Sequence, residues 1–175
     1  MSDRSDLVRA YTDRTAGTVV EIDGNFGGQS PDLVNDYLRF LTRNPALRIP
    51  GNAIDWAIAE DELTPPTKSL AKIADYTSAH PGRHAPVEMP ETGDVMVFAG
   101  PPGNIYGGLG IYITHRDGNV VVYTQGQHDG QQAPAQLAEA RGDRVRALGW
   151  WRVRDEHIKA RPAPWAARPI QEIAR

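Results

Sequence analysis

Hydrophobic periodicity changes character once along this chain, at Pro90, and that change bounds the fold. Before it, apolar residues recur at helical spacing. Leu7, Val8 and Tyr11 do so near the start, with Ser5 or Asp3 as candidate caps and Ala16-Gly17 as the stop. Ser30-Pro31-Asp32 opens the clearest helix: Ser suits the N-cap, Pro the first helical position, and Asp the positive end of the dipole. Leu33, Val34, Tyr37, Leu38 and Leu41 form its apolar stripe, and Asn44-Pro45 ends it. Further helices are predicted over residues 52–60, offering Ile54, Trp56 and Ile58 for packing, and over 67–79, between Pro65-Pro66 and Pro81-Gly82. After Pro90 the texture is that of strands, at 94–98, 109–114, 119–124 and 145–153, with Arg116-Asp117-Gly118-Asn119 as a hairpin turn. The polar residues 125–142 read as a loop with a short helical turn. Helices followed by antiparallel strands predict an α+β fold, with N-terminal helices packed on a small antiparallel sheet.

At 175 residues the chain suits one domain with a short appendage. Residues 1–155 are read as the domain. Residues 156–175, rich in Pro and Arg, read as a tail outside the core, or as an arm carrying Trp165 onto a neighbouring subunit. Cysteine is absent, which excludes disulfides, thiolate metal sites, iron–sulfur ligation and a cysteine nucleophile. A net charge of −3 gives no pull toward nucleic acid. No apolar run approaches the roughly 20 residues of a membrane span, and the charged opening MSDRSDLVRAYTDR is not expected to be a signal peptide. The Gly-rich GPPGNIYGGLG lacks the Lys-Ser/Thr of a phosphate loop. His80 and His84 lack further ligands at metal spacing, so neither cofactor nor metal is expected.

Five pieces in register carry a family resemblance. DGNFGGQSPDLVNDYLRFL at 23–41, GNAIDWA at 51–57, PETGDVMVF at 90–98, YGGLGIYI at 106–113 and LGWWRV at 148–153 together resemble the CHAP domains of the papain-like cysteine hydrolases that cleave bacterial peptidoglycan. The resemblance implies a papain-like fold. It also places the family's catalytic cysteine at Ser30 and its histidine at Gly108. The third polar residue falls at Thr124, or at Gln125 if the register slips by one. Gln29, Trp56, Tyr106 and Gln125 are the binding residues it suggests.

That carry-over leaves the shape of a nucleophile site without its chemistry. A serine hydroxyl depends on a general base more heavily than a thiol does. The helix dipole supplies only about 0.3–1 kcal/mol at an exposed end, and Gly108 has no side chain. Each candidate also has a structural reading. Ser30 suits an N-cap, and His115 a solvated turn residue. His128, in a polar loop, is the remaining base candidate. Asp94 suits a turn hydrogen bond. Of Trp150 and Trp151, strand alternation puts one in the core and the other at a surface or interface.

Two functions are carried forward. One is a catalytically inactive CHAP-like domain serving as a structural or cell-wall-binding part of a bacteriophage virion, in the tail or tail tip. Its partners would be other virion proteins, a second copy of the chain, or peptidoglycan. The alternative is an active amidase or endopeptidase using Ser30 with His128 as an unusual base.

Overall fold

The structure, a computed structural model, describes residues 4–24, 27–58, 70–75, 89–100, 105–128, 131–140 and 147–160. His80, His84, Trp165 and the tail beyond Ala160 lie outside them. Three helices come first: α1 (Arg4–Thr15), α2 (Ser30–Thr42) and α3 (Ala53–Ile58). Six strands follow: β1 (Leu70–Asp75), β2 (Val95–Phe98), β3 (Gly108–Arg116), β4 (Asn119–His128), β5 (Gln131–Ala140) and β6 (Ala147–Val153). They form one antiparallel sheet in the order β1-β6-β2-β3-β4-β5. The α+β architecture expected from the pattern change at Pro90 is the one observed.

Strand alternation divides the sheet between two apolar clusters. On β2, Val95 and Val97 join the main core with Leu33, Leu38 and Trp56, while Met96 and Phe98 face a second cluster with Tyr112, Val122 and Trp150. The α2 stripe behaves as its spacing requires: Leu33, Val34, Tyr37, Leu38 and Leu41 are all fully buried. Asp117 and Gly118 both have positive φ, 50° and 80°, which closes the β3–β4 hairpin as its sequence predicts.

An ion-paired carboxylate ties the helical half to the sheet. Asp94 is completely buried and accepts Arg152 Nε and Nη2, each at 2.9 Å. Arg4 Nη1 lies 3.6 Å from the same carboxylate, and Arg4 Nη2 donates to Val153 O at 3.0 Å. The structural reading of Asp94 is therefore the right one.

Several expectations are corrected. Within the helix expected over 67–79, residues 70–75 form strand β1 paired with β6. The spacing of Leu70, Ile73 and Ala74 satisfied a helix, but the open edge of β6 supplies a ladder of backbone partners. The loop expected over 125–142 is largely strand, the end of β4 and all of β5. Pro134 is tolerated there because β5 is an edge strand. Trp150 and Trp151 point to opposite faces, yet both are buried, because the second face has a cluster of its own. Residues 156–160, assigned from sequence to the tail, begin with a 3-10 turn and dock on α2. Lys159 and Ala160 donate their N–H groups to Leu41 O at 2.8 and 2.9 Å, and Ala160 is buried.

Candidate functional site

The start of α2 lies against the first residues of β3, and this junction holds the three family positions. The N-cap of α2 is Gln29, one residue earlier than expected. Its N–H donates to the Asp32 carboxylate at 2.9 Å. Ser30 is thus the first helical residue, and its side chain is free of capping duty. Ser30 Oγ instead accepts the N–H of Leu109 at 3.0 Å.

From the other side, Thr124 Oγ1 donates to Leu109 O at 2.6 Å. Both backbone groups of one β3 residue are therefore held by side chains at two of the three family positions. The third, Gly108, is joined to Leu109 through that same peptide. A Cβ built on Gly108 would meet nothing within 4 Å. Gly108 and Thr124 border a cleft of about 210 Å³ shared with Phe98, Leu109, Val122 and Ala138. The sequence-derived positions thus come together in space. Among the described side chains, no imidazole bonds to the Ser30 hydroxyl.

The histidines resolve differently. His115 is exposed near the far end of β3, its Nδ1 2.7 Å from Tyr112 Oη. His128 ends β4 opposite Gln131, not in a loop as expected, and its side chain lies outside the described residues.

Of the expected binding residues, Tyr106 is 58% exposed beside the cleft, next to Ile105 at 75%. Trp56 is a correction: it is fully buried, and its carbonyl accepts Trp151 Nε1 at 3.2 Å, so it offers no surface to a ligand. Gln125 is likewise buried and committed. Its Nε2 donates to Val20 O at 2.6 Å and Gln29 O at 2.9 Å, and its Oε1 accepts Val20 N–H at 2.9 Å. It fastens the turn before α2 onto β4. Gly28 permits this approach, since a Cβ there would stand 2.4 Å from Val20 O and 2.9 Å from Gln125 Nε2.

The same turn carries a feature missed in the sequence. Ligand atoms of Glu21, Asp23 and Asp32 lie within 4.8 Å of one another, an arrangement that could hold a cation. Burial first, then the charges of Asp23 and Glu21, push the Asp32 carboxyl above its ordinary range, against the pull of its backbone hydrogen bonds. Arg48 offsets part of this charge through a 2.7 Å ion pair with Asp23. The spacing Glu21-x-Asp23 with Asp32 nine residues on was a visible signal.

No protein-family model matches the chain, and no curated protein matches it in sequence. Among solved structures the fold is similar to that of the wild-type endolysin LysIME-EF1. The TM-score is 0.61 over 95% of this chain and 67% of that one, at 22% sequence identity. At that identity the likeness is one of fold.

Proposed function

We propose that this chain is a catalytically inactive relative of the CHAP-type peptidoglycan hydrolases, used as a structural or cell-wall-binding part of a bacteriophage virion at the tail or tail tip. One observation carries the reading: two of the three family positions serve as a backbone clamp. Ser30 and Thr124 hold the N–H and the C=O of Leu109, and Gly108 supplies no base. A hydroxyl held as an acceptor at a helix N-terminus, with no imidazole beside it among the described side chains, has nothing to take its proton. The fold likeness to an endolysin supports a connection with peptidoglycan. Exposed Ile105 and Tyr106, just before β3, give a neighbouring virion protein or a wall peptide an apolar surface to rest on.

The test is turbidity release from bacterial cell walls, paired with sedimentation of the protein on the same walls. No lysis together with co-sedimentation supports a wall-binding module. No lysis and no co-sedimentation leaves docking to other virion proteins. Lysis by the unmodified chain overturns the proposal in favour of an active Ser30 enzyme with His128 as its base.

A further inference from the structure

A second cavity, sharing no lining residue with the cleft at Gly108 and Thr124, lies between α1 and the β4–β5 half of the sheet. Its volume is about 310 Å³, and Val8, Ile113, Tyr123, Ala135 and Leu137 provide most of the wall. Arg9 of α1 also lines it. Arg9 is only 6% exposed, and its Nη2 is buried without a hydrogen-bond partner among the described residues. A buried guanidinium left unpaired is costly, and arginines in such places are nearly always paired with an anion.

Most of the inner polar groups around the cavity are already engaged, while Gln136 is an exposed residue of its lining. Tyr123 Oη meets Thr15 Oγ1 at 3.0 Å, Thr12 Oγ1 donates to Arg9 O at 3.0 Å, and Gly17 and Thr18 pair with Ala135 through their backbones. Asp13, one turn beyond Arg9, also borders the cavity. It is exposed and forms no ion pair with Arg9 among the described residues. Its charge opposes an anion at the mouth.

We propose that this cavity binds a small amphipathic carboxylate, with the acid on the Arg9 guanidinium and the apolar tail among Val8, Ile113, Tyr123 and Ala135. The planar fork of arginine fits a carboxylate through two parallel hydrogen bonds. A single cation, with the carboxylate of Asp13 also among the lining residues, suits a monoanion rather than a phosphate. The volume accommodates roughly ten heavy atoms at about 30 Å³ each, the size of an eight-carbon acid. The inference is independent of the function proposed for the Ser30 junction.

The experiment titrates octanoate and 1-octanol separately into the full chain and follows backbone amide NMR shifts at Gly17 and Ala135. The expected result is octanoate binding at least tenfold tighter than octanol. In Arg9→Met that preference disappears while octanol still binds, and in Asp13→Asn octanoate binds more tightly. Ala135→Leu, which fills the cavity, weakens both ligands, so the proposal stays testable if Arg9→Met does not fold. Equal affinity for the two ligands in the unmodified protein overturns it. So do octanoate-induced shifts that map elsewhere, or none at all.

Discussion

The loss of chemistry at the Ser30 junction is testable by reversal, with the double substitution Ser30→Cys and Gly108→His. The structure sets what this should cost. A side chain at 108 enters open space, and replacing a strand glycine there removes a penalty of roughly 0.5–1 kcal/mol. Ser30→Cys weakens the hydrogen bond from Leu109 N–H, since sulfur is a poor acceptor, at a cost of about 1 kcal/mol. The two nearly cancel. At about 2–4 °C per kcal/mol for a chain of this size, the melting temperature should stay within roughly 4 °C of the parent. Catalysis should respond very differently. Gly108 Cα lies two bonds from the nitrogen that donates to Ser30 Oγ, and a Cβ there meets nothing within 4 Å, so an imidazole has room to turn toward the nucleophile. A positioned base contributes about 10²–10⁴ in rate and favours the thiolate as well. Groups that act as a unit are strongly non-additive, so each single variant should stay at the parent's baseline. The assay is turbidity release from cell walls, run beside thermal melts. A folded double variant that releases nothing would refute the claim that these two side chains separate this fold from a hydrolase.

Other predictions concern stability and pH. Gln125→Leu strands the N–H and C=O of Val20 and removes one of the donors to Gln29 O, and should cost about 2–4 kcal/mol in denaturant unfolding. A loss below about 0.5 kcal/mol would contradict its role as a fastener. Arg152→Met leaves the buried Asp94 carboxylate with the Glu91 N–H at 2.8 Å and only the longer contact to Arg4 as an ion pair, and should cost about 3–5 kcal/mol. Asp32 has a carboxyl raised above its unfolded value of 3.8, so the folded protein holds that proton more tightly. Its stabilising share is complete below that value and is lost as pH rises through the folded value. Asp32→Asn should therefore gain stability relative to the parent as pH rises from about 4 through the folded value, read from denaturant midpoints. A relative loss over that window would reverse the assigned sign.

Much of the fold was legible because local and global preferences agree. The α2 stripe, the Asp117-Gly118 hairpin and the apolar strands β2 and β6 each carry a period that matches their burial. Residues 70–75 were misread because LAKIAD satisfies two periods at once, and only the presence of β6 decides between them. Strand β5 was hidden by alanines, glutamines and Pro134, residues that β4 recruits through backbone pairing rather than side-chain preference. The site positions Ser30, Gly108 and Thr124 were legible as a set through a resemblance. Their shared partner, the backbone of Leu109, was not, because backbone hydrogen bonds leave no trace in residue identity. The same applies to Trp56 and Gln125, whose burial depends on elements about 95 and 105 residues away in sequence.

The strand order also bears on how this chain is made. β6 is the last strand among the described residues, yet it sits inside the sheet between β1 and β2. A ribosome delivering the chain from its N-terminus must present β1 and β2 long before the strand that joins them exists. Until β6 emerges, β2 has one open edge and β1 has no neighbour, and unpaired edges of this kind invite pairing with other chains. Asp94 meanwhile waits for Arg152, which arrives on that same strand. Closure of the sheet thus waits for β6, and a fragment that stops short of Ala147 should aggregate rather than assemble a smaller version of the domain.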